Sequence, residues 1–153
     1  MAESKYEKNL VQNPLHECGI KPFPTTGRQI PTMTYMGNDL VPNCNTYIEI
    51  GWIWEMPTPN PQIFEHVHEY NELVLHLGTD PENPEELNGE IEFGMGDETV
   101  TINKTSALFV PKGVKHGPLK WNRVDKPHLL MTIMLGAGTL AQAKPGGYGG
   151  KKG

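Results

Sequence analysis

The sequence predicts an all-β domain of short antiparallel strands, and three observations point there. The 153 residues include 17 glycines and 14 prolines. That is roughly a fifth of the chain, against about 12% in an average protein, and it leaves little room for long helices. Thr46 to Glu55, TYIEIGWIWE, alternates with a period of two residues, the mark of a strand with two unlike faces. Later apolar segments are short and separated by turn signals such as Gly94-Met95-Gly96-Asp97. The length suits one domain, with a single core that needs no disulfide to hold it.

Composition removes several functional classes. Hydrophobic residues make up 37% and charged residues 20%, so neither a membrane protein nor a disordered chain is expected. The longest apolar run falls far short of the roughly 20 residues that span a bilayer. The net charge is −5, and the lysine pair Lys151-Lys152 is no nucleic-acid footprint. Cys18 and Cys44 lack a CxxC spacing, and two free thiols in a reducing cytosol is the favoured reading over one disulfide. The first residues, MAESKYEKNL, have no apolar h-region, so a cytoplasmic protein is expected.

Along the chain, residues 1–13 carry mixed charge and suit a short exposed helix or a loose arm. Pro14, Pro22, Pro24, Pro31 and Pro42 punctuate the next stretch, so residues 1–40 read as an extended arm with a strand near Thr32–Met36. Such an arm must lie on its own domain or on a partner subunit. In Thr46–Glu55, Ile48, Ile50, Trp52 and Trp54 share one face; Tyr47, Glu49, Gly51, Ile53 and Glu55 share the other. Pro57-Thr58-Pro59-Asn60-Pro61 ends this strand. Asp80–Asn88 is an acidic loop. Further strands are expected at Glu90–Phe93, Glu98–Ile102, Ala107–Val110 and Leu129–Leu135. The predicted domain is thus 41–136, and residues 137–153 form a glycine-rich flexible tail.

Gln62–Leu77, QIFEHVHEYNELVLHL, can be read two ways. As a helix it places Ile63, Val67, Tyr70, Val74 and Leu77 on one stripe and Glu65 with His68 in an ExxH pair, as in di-iron bundles. That reading needs a second ExxH and further long helices, and the sequence has neither. As strand, His66, His68, Tyr70, Glu72, Val74 and His76 share a face, and the surrounding short strands favour this.

His66-Val67-His68 followed by Glu72 is the first chemical cluster. Histidines at i and i+2 of a strand point the same way with Cβ atoms roughly 6–7 Å apart, close enough for both to bind one ion at about 2.0–2.1 Å. Two imidazoles and a carboxylate on one side of a metal leave positions open for water, dioxygen or substrate. His116, in Pro111-Lys112-Gly113-Val114-Lys115-His116, is the best candidate to complete the shell, since a ligand on a strand just after a tight turn is held rigidly. Alone, each of these residues could be an ordinary strand or turn residue. Together they form a much narrower coincidence.

This pattern resembles the cupin superfamily, in particular its small single-domain members. His66-x-His68-x3-Glu72-x5-Gly78 resembles the first cupin motif, and Pro111-x-Gly113-x2-His116 the second, with Asn122 near the place where an asparagine often ends it. The resemblance covers roughly Glu65–Asn122. Thr105 stands where the second motif usually opens with glycine, and Asp80–Asn88 lengthens the region between the motifs. The resemblance implies an antiparallel jelly-roll β-barrel (a double-stranded β-helix) behind an extended N-terminal arm. It also implies one divalent metal held by His66, His68, Glu72 and His116.

Other residues suit a pocket. Trp52, Trp54 and Met134 are candidate walls, with a packed core or a dimer contact as the alternative. Tyr70, His76 and His128 are candidate catalytic residues, although for His76 support of the ligands and for Tyr70 plain packing are the blander readings. Fe(II) is the favoured metal, while nickel, manganese, zinc or copper also suit imidazole and carboxylate. The expected function is an enzyme acting on a small organic substrate, by dioxygenase-type chemistry or by Lewis-acid isomerase or lyase chemistry. A non-catalytic binding or sensing module is the alternative. No nucleic-acid or membrane partner is expected, and the arm and tryptophan strand suggest a homodimer.

Overall fold

A computed structural model describes residues 4–17 and 24–144. Cys18, the end of the glycine-rich tail and Lys151-Lys152 lie outside the described residues. The chain forms β1 (Leu15–Glu17), β2 (Thr26–Arg28), β3 (Thr32–Met36), β4 (Thr46–Thr58) and β5 (Glu72–Gly78). It continues through β6 (Glu86–Met95), β7 (Glu98–Lys104), β8 (Ser106–Val110), β9 (His116–Val124) and β10 (His128–Leu135). Helix is confined, among the described residues, to a 3-10 turn at Glu7–Asn9 and the short α1 at Leu140–Ala143, and neither is long and apolar enough to cross a membrane.

All pairings are antiparallel. One sheet has the order β1-β3-β4-β10-β5-β8, with β2 also on β4, and the second has the order β7-β6-β9. The two face each other as in a jelly roll. Their shared core is Ile53 and Leu130 from the large sheet against Leu87, Ile91, Phe93 and Trp121 from the small one. Burying such side chains stabilises by roughly 1.5–3 kcal/mol each, which is why strands alternating in period two fold onto one another.

Register fixes what lies at each depth. Across β4, β10 and β5 the inward rows are Tyr47–Met134–Glu72, then Glu49–Thr132–Val74, then Gly51–Leu130–His76, then Ile53–His128–Gly78. Two of these rows hold a histidine well below Glu72. At about 3.3 Å per residue, His76 lies roughly 13 Å down the strand from Glu72.

The parity of β4 settles the tryptophans. Tyr47, Glu49, Gly51 and Ile53 are buried, whereas Trp52 and Trp54 are 40% and 48% exposed. The two tryptophans therefore do not wall a cavity. On that inner face a Cβ at Gly51 would meet the Thr32 methyl at 3.1 Å, tighter than ordinary contact.

The N-terminal arm lies on its own domain. β1 pairs with β3, and β2 and β3 pair with β4, so the arm widens the large sheet. A polar cluster pins it: the Thr34 hydroxyl lies 2.8 Å from the Tyr47 hydroxyl, and both reach Glu17 Oε1, at 2.9 and 2.8 Å. Cys44 is half-buried, with its thiol donating to the Thr46 carbonyl at 3.5 Å.

Gln62–Leu77 is not helical, but it is not one strand either. Regular pairing begins only at Glu72. Before it the chain is irregular, with bends at Ile63, Glu69 and Tyr70, and touches β9 through isolated bridges, Gln62 to Leu119 and His66 to His116. At the other end of β5, a Cβ on Gly78 would meet the Glu86 carbonyl oxygen at 2.0 Å, so this glycine allows β5 and β6 to approach.

Candidate metal centre

Three separate pieces of chain deliver four side chains to one place. The irregular segment before β5 carries His66 and His68, the first residue of β5 is Glu72, and the first residue of β9 is His116. The His66–His116 bridge, with hydrogen bonds of 2.9 Å in both directions, sets the two imidazoles side by side, ring centroids 4.2 Å apart. One donor atom from each of the four residues lies within 4.8 Å of the other three. Glu72, His68 and His116 are buried and His66 is half-buried.

Their hydrogen bonds orient them. His66 Nδ1 lies 2.8 Å from the Phe64 carbonyl and His116 Nδ1 lies 2.9 Å from the Val114 carbonyl. A carbonyl only accepts, so both Nδ1 atoms carry a proton and both Nε2 atoms face the cluster, that of His116 toward the Glu72 carboxylate. His116 Nε2 is 3.1 Å from Glu72 Oε2. His68 Nε2 is 3.4 Å from the same oxygen, yet it is buried with no hydrogen-bond partner.

The charge states reflect these surroundings. Burial, with the nearby imidazoles His66 and His116, pushes His68 down to about 3. Burial also lowers His66, the bond to the Phe64 carbonyl and the charge of Glu72 only partly opposing it. For His116 burial acts downward too, but the bonds to Glu72 and the Val114 carbonyl outweigh it and leave the group raised. Two neutral imidazoles, a third sharing a proton with a carboxylate, and an orphaned buried nitrogen are what a divalent cation would complete. It would take the lone pairs and replace the proton. The residues therefore fit a metal bound by His66, His68, Glu72 and His116.

The remaining candidates fall elsewhere. Tyr70 stacks on His68, with centroids 4.6 Å apart and 15° between planes, and its hydroxyl donates to the Ala143 carbonyl. It positions a ligand and ties down α1, and it does not face the cavity. His76 and His128, each 0% exposed, sit in the deep core with their rings 6.1 Å apart. Trp121 Nε1 donates to His128 Nε2 at 3.3 Å. Neither histidine lines the cavity or belongs to the four-residue cluster, whereas Tyr70 touches the cluster through His68.

A cavity of about 40 Å³ adjoins the cluster. His66, Glu72 and His116 form one wall, and Met134 lines it as expected. Phe93, Leu119 and Leu130 give an apolar side, while Arg28, Glu49 and Thr132 give a polar one. Sequence reading missed these three polar residues. Glu49 was legible as a charged residue between Tyr47 and Ile53 on one face of β4. Arg28 lies in a stretch of prolines and polar residues with no periodicity, so no sequence signal announced it.

No protein-family model matches this sequence, and no curated protein matches it. Solved structures do. An RmlC-like cupin from Shewanella frigidimarina is 15% identical over 69% of this chain and 77% of that one, with a TM-score of 0.46. A cupin protein from Bacteroides fragilis is 16% identical over 69% and 78%, also at 0.46. A structure of DMSP lyases is 15% identical over 71% of this chain and 49% of that one, at 0.45. The fold is a jelly roll, a statement carried by its two facing antiparallel sheets and their strand order.

Proposed function

We propose that this protein is a metal-dependent enzyme acting on a small organic molecule, with one divalent cation held by His66, His68, Glu72 and His116. The observation that carries the reading is the buried, partnerless Nε2 of His68 beside two further imidazoles and a carboxylate. Three nitrogens and one oxygen leave positions for other molecules on the same ion. Bound there, Fe(II) would supply dioxygen chemistry, whereas zinc or nickel would supply Lewis-acid chemistry of the isomerase or lyase kind. The residues themselves hold the cation, exclude bulk water with Phe93, Leu119 and Leu130, and leave a polar wall for the substrate. Fe(II) is favoured because two or more imidazoles with one carboxylate and open positions suit it.

Elemental analysis of protein purified without oxygen or added metal tests this. About one metal per chain supports the reading, and iron supports its oxygen-dependent form. Metal-free protein that takes up none on addition overturns it, and a stable, metal-loaded protein that turns over no substrate moves the assignment to a binding or sensing module. The proposal also takes the protein to be cytoplasmic and homodimeric.

A further inference from the structure

Arg28 is the charged residue that the metal reading leaves without a task. It is 3% exposed and reaches the cavity from the short strand β2. Its Nη1 donates to Gln62 Oε1 at 2.9 Å, and its guanidinium lies 5.8 Å from the centre of the Trp121 ring. Gln62 is itself buried and held to Leu119 by backbone hydrogen bonds of 2.7 and 2.8 Å. The guanidinium is therefore anchored on Gln62 and borders the same cavity as His66, Glu72 and His116.

Formal charge decides what belongs between them. Arg28 contributes +1, Glu49 and Glu72 −1 each, and a divalent cation +2. The loaded cavity therefore sums to +1, whatever ion pair Arg28 and Glu49 make. A net charge enclosed by Phe93, Leu119, Leu130 and Val74 is costly, and a monoanion cancels it. A second polar group narrows the choice. The Thr132 hydroxyl lines the same cavity and is buried with no hydrogen-bond partner, so it can bond one more oxygen of a ligand. Size sets the last limit. A single water needs roughly 10–15 Å³ by this measure, so about 40 Å³ admits only a small molecule.

We infer that the substrate is a small monoanionic carboxylic acid carrying one further oxygen, bound between the metal and Arg28 with Thr132 on the second oxygen. This rests on the metal reading above and adds to it the class of molecule. A carboxylate suits the planar donor fork of arginine.

The test uses the full chain loaded with Co(II), whose visible absorption reports ligands entering its coordination sphere, together with calorimetric titration. The probes are glycolate, its neutral amide glycolamide, and acetate. Glycolate is expected to bind at least tenfold more tightly than either. In Thr132→Val the advantage over acetate disappears while Co(II) uptake stays at one per chain. In Glu49→Gln the formal sum becomes +2, and the dianion malonate gains on glycolate by at least fivefold. Arg28→Lys keeps the charge but not the fork and weakens glycolate at least fivefold. Equal binding of glycolate and glycolamide by Co(II)-loaded wild-type protein overturns the inference alone. Failure of the wild-type chain to take up Co(II) overturns the metal reading and this inference with it. The wild-type comparison holds even if a variant does not fold.

Discussion

His116 Nε2 and Glu72 Oε2 lie 3.1 Å apart although 44 residues separate them in the chain. The pair joins the first residue of β9 to the first residue of β5, and His66 and His68 close the remaining sides. A carboxylate and three imidazoles buried this closely have their charge balanced by shared protons or by a cation.

Removing a member of this set should empty the site without unfolding the domain. His66→Ala and His116→Ala are expected to lose metal at least tenfold in affinity, and Glu72→Gln likewise, because each deletes a donor atom. All three lie at the edge of the core formed by Ile53, Leu87, Ile91 and Phe93, so near-native circular dichroism should persist. Metal content at full occupancy in both histidine variants would refute the ligand assignment.

The deep histidines make stability depend on pH. Burial holds His76 at about 3 and His128 at about 4, below the roughly 6.5 of an unfolded imidazole. The unfolded chain therefore binds more protons between those values, and the stability from keeping both rings neutral is complete above about pH 6.5. It is lost as pH falls through 4 and 3. His76→Leu should flatten that acid limb by one proton. Both ring nitrogens of His76 are buried without a partner, so at pH 7 the variant should equal or exceed wild type by up to about 1–3 kcal/mol. Denaturant melts at pH 4.5 and 7 decide this, and a clear loss at pH 7 would mean that His76 bonds to something.

Gly78 should tolerate no side chain. A Cβ there would lie 2.0 Å from the Glu86 carbonyl oxygen and 2.9 Å from Thr105 Oγ1, and backbone cannot yield as a flexible side chain does. Gly78→Ala is expected to cost about 2–4 kcal/mol, the range of overpacked cores, read as a drop in thermal midpoint. A midpoint within a degree of wild type would show that β5 and β6 can separate at no cost.

The outer face of the large sheet suits a second copy of the chain. Cross-strand rows such as Trp52–Leu129–Leu77 and Ile50–Met131–Leu75 run over it without a charge. The same patch on a second molecule would be self-complementary under a two-fold axis. On the proposed dimer, wild type should run as a dimer by light scattering and Trp52→Glu with Trp54→Glu as a soluble monomer. A dimer that survives both changes would place the interface elsewhere. Truncating residues 1–40 is a poorer test, since it strips β1 to β3 from the same sheet.

The four clustered residues His66, His68, Glu72 and His116 and the β class were legible in the sequence because both rest on spacing. Alternation in Thr46–Glu55 predicts a strand whatever it packs against, and HxHxxxE with PxGxxH names its residues outright. The faces were not legible. Ile48, Ile50, Trp52 and Trp54 form the more hydrophobic side of β4, yet they lie outward, while Tyr47, Glu49, Gly51 and Ile53 are buried. The irregular run before Glu72 shows the same limit: period two places His66 and His68 on one side, but only the bridge to His116 decides how the chain arrives there. Local pattern, then, determined the elements and the candidate metal donors, which depend on residues a few positions apart. Arg28, Thr132 and the depth of His76 were decided by register and by which sheet faces which. Those are set by the total free energy of burial, which no short stretch of chain contains.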